Sequence, residues 1–101
     1  IRIGMDTDRN PEDMESILEA QTQLCRTDED FVLVYTQAVT LPERGMLQDA
    51  VHYTQEGYNL IGEEAGRNAG IYVATGVEPS MYDPYYETEY VPETGQEETT
   101  P

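Results

Sequence analysis

Phe31-Val32-Leu33-Val34-Tyr35-Thr36 is the stretch on which the fold class turns. Its first five residues are apolar or aromatic without interruption. An alternating pattern would mean a strand with one face in water, whereas a continuous run means a strand covered on both faces, as in a parallel sheet between helices. Upstream, Thr27-Asp28-Glu29-Asp30 is a polar turn. Before it, Met14, Ile17, Leu18, Gln21, Leu24 and Cys25 recur at helical spacing, which predicts an amphipathic helix of about 14 residues. Asn10 suits its N-cap, Pro11 its first position, and Glu12 and Asp13 its first turn, while Arg26 complements the dipole at its end. Ile1-Arg2-Ile3-Gly4 reads as the end of another buried strand, followed by a polar loop from Met5 to Arg9. Strand, helix and strand make one crossover unit, which is expected to be right-handed.

Downstream of the run, residues 37–48 connect, with Pro42 breaking any early helix and Gly45 allowing a turn. Then comes Leu47-Gln48-Asp49-Ala50-Val51-His52-Tyr53-Thr54, which contains the only histidine. Thr54 is a plausible N-cap for a second helix running from about Gln55 to about Asn68, with Tyr58, Ile61, Ala65 and Ala69 as its buried stripe. Gly57, Gly62 and Gly66 lower its intrinsic stability by about 1 kcal/mol each, so this face is expected to pack closely on the sheet. Asp49 and His52 therefore sit on a short loop feeding a helix. A carboxylate placed there accepts a hydrogen bond from one imidazole nitrogen and leaves the other free to take a proton from a nucleophile.

Composition excludes more than it assigns. The 101 residues carry a net charge of −16, with five Arg and no Lys, a surface that repels nucleic-acid phosphates and anionic lipid. No stretch is long and apolar enough to cross a bilayer. Cys25 is the only cysteine and lies on the apolar side of the first helix, so it reads as a structural thiol rather than a nucleophile. Asp6-Thr7-Asp8 and Asp28-Glu29-Asp30 lack the spacing of a calcium-binding loop, and neither a metal nor another cofactor is expected. Residues 77–101 are acidic, rich in Pro and Tyr and without a basic residue, and are expected to form a largely disordered tail, with Tyr82, Tyr85, Tyr86 and Tyr90 able to dock on the folded surface and partly order its first part. Val91-Pro92-Glu93-Thr94-Gly95 looks like a sortase-type anchoring motif, but an acidic segment follows it and a linker is the simpler reading.

Asp49-x-x-His52-Tyr53, followed by Gly57-Tyr58, Ile61-Gly62-Glu63 and Ala65, resembles the last catalytic block of the SGNH-type esterases and lipases. Within them it is most similar to the sialate O-acetylesterase and acetylxylan esterase group of carbohydrate esterases. The resemblance extends back to Ile17-Leu18-Glu19-Ala20-Gln21 and to Phe31-Val32-Leu33-Val34, and covers the first three quarters of the chain. It implies an α/β fold: the C-terminal part of a three-layer sandwich with a parallel sheet, of the flavodoxin-like kind, over residues 1–76. It further implies deacetylation of a carbohydrate ester, with His52 as general base and Asp49 orienting it, and an acetylated carbohydrate as partner. The family's nucleophile is a Ser early in the domain, with a Gly and an Asn completing the oxyanion hole. Here the only serines are Ser16, inside the first helix, and Ser80, in the tail, and neither matches a family motif. The chain, which begins at Ile1, is accordingly expected to be a portion of such an esterase and inactive alone. The competing expectation is an acidic, extracellular interaction or linker module on a degenerate esterase scaffold. The sequence assigns no compartment, and an extracellular or cell-surface one is compatible with it.

Overall fold

The computed structural model describes residues 1–4 and 8–92. Its elements are helix α1 (Pro11–Thr27), a single 3-10 turn at Gln37–Thr40, helix α2 (Gln55–Thr75), and strands β1 (Met81–Asp83) and β2 (Thr88–Tyr90).

α1 begins as its sequence dictates. The Asn10 side chain accepts from the Glu12 N–H at 2.8 Å, and Pro11 opens the first turn. It runs through Thr27, and the Asp28 N–H closes it on the Leu24 carbonyl. Met14, Leu18 and Thr22 form its buried stripe, whereas Ile17 and Leu24 remain exposed. α2 is capped by Thr54, whose hydroxyl accepts from the Gly57 N–H at 3.1 Å. It passes straight through Gly66 and Gly70 and stops only at Gly76, whose φ of 74° is the left-handed conformation that ends helices. Ile61 and Ala65 are buried, but Tyr58 is 48 % exposed. The glycine face expected to pack on a sheet is not found, and only Gly57 has a close neighbour, in the Met46–Tyr53 loop. A Cβ on Gly57 would sit 3.1 Å from the Met46 carbonyl oxygen, whereas Gly62, Gly66 and Gly70 face open space.

The fold class requires correction. Among the described residues the only sheet is the antiparallel pair β1–β2, registered Met81 to Tyr90, Tyr82 to Glu89 and Asp83 to Thr88. This is a small domain of two helices and a two-stranded sheet, not part of a three-layer sandwich with a parallel sheet. Phe31–Thr36 lies beside Ile1–Gly4, yet one backbone hydrogen bond, Arg2 N–H to the Tyr35 carbonyl at 3.1 Å, joins them. Side chains take up groups that a ladder would use. Asn68 donates to the Val34 carbonyl, the Arg2 guanidinium to the Thr36 carbonyl, and the Ile3 N–H donates to the Gln21 amide oxygen. Leu33 and Tyr35 are buried, Val32 and Val34 are half-buried and Phe31 is 45 % exposed, so the run has one buried face and is neither a strand nor covered on both sides. The core lies between this segment and α2: Tyr35, Ala38, Leu41, Ile61 and Ala65, flanked by Val34, Met46, Tyr53 and Leu60.

Residues 77–92, the Tyr-rich first part of the tail expected to be largely disordered, contain the β1–β2 hairpin. Pro84 presets the turn, Glu87 takes a left-handed φ of 54°, and the Asp83 carboxylate accepts from the Tyr85 N–H at 2.9 Å. Asp83 and Tyr90 are buried. The Asp83 carboxylate meets Arg2, and the Thr36 hydroxyl donates to the Tyr82 carbonyl at 2.6 Å. The Arg26 guanidinium lies over the Tyr90 ring, 4.8 Å from its centroid. The remainder of the expected tail, residues 93–101, lies outside the described residues, as do Asp6 and Thr7 of the first acidic cluster and residues 93–95 of the anchoring-like motif.

Candidate functional site

Asp49 and His52 occupy a loop that is pinned at both ends. Leu47 and Tyr53 form an isolated antiparallel bridge, and the Gln48 N–H donates to the His52 carbonyl at 2.9 Å. One step further out, the Thr54 N–H donates to the Met46 carbonyl at 2.8 Å. Thr54 then caps α2, so the loop opens directly into a helix N-terminus.

Within this frame the Asp49 carboxylate organises the loop. Its Oδ1 accepts from the backbone N–H groups of Val51 at 2.9 Å and His52 at 2.6 Å. An aspartate at a turn does this because its short side chain substitutes for a backbone carbonyl. The same carboxylate faces the imidazole, with Nδ1 at 2.8 Å from Oδ2 and 3.1 Å from Oδ1. The backbone bonds from His52 and Val51, then the bond from the ring, hold the Asp49 carboxyl down at about 2, against an ordinary value of 3.8. At neutral pH it is therefore an anion, and a ring nitrogen facing an anion carries the proton. Nδ1–H donates to Asp49, and Nε2 is left as the acceptor. The pair is open to water, with side-chain exposures of 62 % for His52 and 51 % for Asp49. An exposed ring held in one tautomer by a carboxylate is chemically a base that accepts a proton at Nε2.

The structure thus brings the two sequence-derived site residues together. It does not bring a serine to them. Among the described residues, no hydrogen bond links His52 to Ser16, whose hydroxyl donates to the Glu12 carbonyl in α1, or to Ser80, which is exposed ahead of β1. Cys25 is half-buried, and that burial pushes its thiol up, away from the thiolate a nucleophile needs. Among the described residues, no group of three or more His, Cys, Asp or Glu is arranged to hold a metal ion. No described helix is long and apolar enough to cross a membrane.

Sequence reasoning missed the surroundings of the pair. Val51 and Tyr53, the chain neighbours of His52, line a groove of about 450 Å³ together with Ile3, Gly4, Arg9, Met14 and Ile17. The Tyr53 hydroxyl is bonded to the Gly4 backbone, and its ring meets Tyr58 edge-on at 5.4 Å. A Cβ on Gly4 would collide with that hydroxyl and with the Ala38 carbonyl, so glycine is what lets the N-terminal segment reach the loop. The signal was the alternation Val51-His52-Tyr53, which sets the apolar residues on either side of the histidine. No protein-family model, curated protein or solved structure matches the chain.

Proposed function

We propose that this chain supplies the base and its orienting acid to a serine-dependent carboxylic ester hydrolase acting on acetylated carbohydrate. The observation that supports this reading is the Asp49–His52 contact, in which the carboxylate is fixed by two backbone N–H groups and in turn fixes the imidazole at 2.8 Å. In such a reaction His52 Nε2 takes the hydroxyl proton of the attacking serine and returns it to the leaving alcohol, while Asp49 stabilises the imidazolium formed between the two steps. In this reading the serine and the oxyanion donors are not supplied by this chain, whose serines are Ser16 and Ser80, and the chain alone is inactive. The resemblance of Asp49-x-x-His52-Tyr53 and Gly57-Tyr58 to the carbohydrate esterases favours an acetyl ester of a sugar over other esters.

A non-catalytic, acidic interaction module is the second reading, favoured by the net charge of −16 and by the Ser16 hydroxyl being engaged with the Glu12 carbonyl. Turnover of a chromogenic acetate and of acetylated xylan by the product of the complete gene separates the two. Under the first reading His52→Ala lowers kcat by roughly a thousandfold or more and Asp49→Asn by a similar order. Full turnover retained in His52→Ala sinks it.

A further inference from the structure

α1 buries one stripe, Met14, Leu18 and Thr22, and leaves a second one uncovered. Ile17, Gln21 and Leu24 follow at helical spacing beside the buried stripe and extend over about 10 Å of the helix. The N-terminal segment runs against them, since the Ile3 N–H donates to the Gln21 amide oxygen at 2.8 Å. In that segment Arg2 and Gly4 are buried while Ile1 and Ile3 are exposed, the alternation of an extended chain. Gln21 thereby divides the strip into two grooves. On one side Ile3, Ile17 and Val51 line the groove of about 450 Å³ beside the His52 loop. On the other, Ile1, Leu24 and Phe31 line a groove of about 230 Å³. These six side chains are 40 % to 63 % exposed, and they are neighbours along one strip. Apolar side chains scattered singly over a surface are ordinary; a row of them is an interaction surface.

The charges at the two ends of the strip select what covers it. At one end Asp13 precedes Ile17 by one helical turn, and Asp49 precedes Val51 by two residues. At the other, Asp28, Glu29 and Asp30 lead directly into Phe31. Two arginines border the grooves, Arg9 and Arg2, and the charge of Arg2 is matched by Asp83. A second copy of the chain would bring two acidic rims and two net charges of −16 together. An anionic membrane is opposed by the same charge. A helix with an apolar face flanked by Lys or Arg meets the strip with like surface and the rim with opposite charge, its apolar anchors one turn apart. We propose that this strip docks a basic, amphipathic helical segment of another protein, with Ile17, Leu24 and Phe31 as apolar contacts and Asp13, Glu29 and Asp30 as the charged rim. The proposal stands on these side chains and does not rest on the ester-hydrolase reading.

The test is an amide NMR titration of the whole chain with a helical peptide built of Lys, Leu and Ala repeats, basic on one face and apolar on the other. It is expected to shift Ile3, Ile17, Leu24, Phe31 and Val51 saturably, with a Kd on the order of 10 μM. The same peptide with Glu in place of Lys keeps the apolar face without the charge, and oligolysine keeps the charge without the apolar face. Each is expected to bind at least about tenfold more weakly. An Ile17→Ser, Leu24→Ser double variant, altered only at exposed side chains, is expected to lose about tenfold or more in affinity with an otherwise unchanged spectrum. A Glu29→Gln, Asp30→Asn variant leaves the apolar strip intact and is expected to weaken binding by about threefold or more. Absence of saturable shifts overturns the proposal. So do equal binding by either control peptide, or undiminished binding by either variant. A dimer in sedimentation equilibrium that the double serine variant abolishes also overturns it, because a second copy would then be the occupant.

Discussion

The guanidinium of Arg2 forks the carboxylate of Asp83 across 81 residues of sequence, Nη1 to Oδ2 at 2.6 Å and Nη2 to Oδ1 at 2.7 Å, with both side chains buried. Arg2 also reaches the Thr22 hydroxyl at 3.3 Å and the Thr36 carbonyl at 3.2 Å, and its guanidinium lies 5.6 Å from the Tyr85 ring centroid. One side chain thereby ties the N-terminal segment, α1, the extended segment and the hairpin. Removing either charge leaves the other buried and unpaired. Arg2→Ala and Asp83→Ala are each expected to lower stability by about 3–5 kcal/mol, and the Arg2→Met, Asp83→Leu pair by clearly less than the sum. Urea unfolding of the three variants checks this. Near-additive losses would mean that the two groups act separately.

The Asp49 loop carries a pH dependence whose sign follows from its carboxyl. Its folded value, about 2, lies below the ordinary 3.8, so the loop's bonds contribute fully above the unfolded value and are lost as pH falls through the folded one. The amide resonances of Val51 and His52 are expected to titrate with the Asp49 carboxyl, midpoint about 2. A midpoint at the ordinary 3.8 would show that neither backbone bond survives in solution.

Tyr35 presents the opposite situation. Its ring is buried, and its hydroxyl has no hydrogen-bond partner among the described residues. A buried donor without a partner costs about 1–3 kcal/mol, so Tyr35→Phe is expected to leave stability unchanged or raise it. A thermal melt decides, and a fall in Tm beyond about 4 °C would reveal a bond to ordered water that the hydroxyl needs.

The glycines of α2 divide into two kinds. Gly62→Ala, with open space above it, is expected to stabilise by about 0.5–1 kcal/mol through helix propensity. Gly57→Ala drives a methyl against Met46 and Tyr53 and is expected to destabilise by about 1–3 kcal/mol. Chemical denaturation of both variants reads the contrast directly, and a gain in Gly57→Ala would show that the Met46–Tyr53 wall yields.

Local signals carried well from sequence to structure. Asn10-Pro11 and Thr54 announce helix starts through chemistry that involves only their next few residues. Asp49 and His52 are three positions apart in a short loop, so their contact needs no knowledge of the rest of the fold. The expected end of α2 near Asn68 falls short of the actual one, because the stop is Gly76, the glycine that takes a positive φ. The sheet was illegible for a different reason. Leu33 and Tyr35 are buried whether the carbonyls of Val34 and Thr36 meet a strand or, as here, the side chains of Asn68 and Arg2. The hairpin was hidden by composition: acidic, Pro-rich residues read as solvated until one of those acids is found opposite an arginine near the other end of the chain.

The order in which the chain is made gives the Arg2–Asp83 fork a kinetic meaning. A ribosome delivers Arg2 long before its counter-ion, so the emerging N-terminal part must keep that guanidinium hydrated while α1 and α2 form. Closing a loop of 81 residues then becomes the step that lets water leave the centre of the molecule, and helix formation by itself cannot complete it.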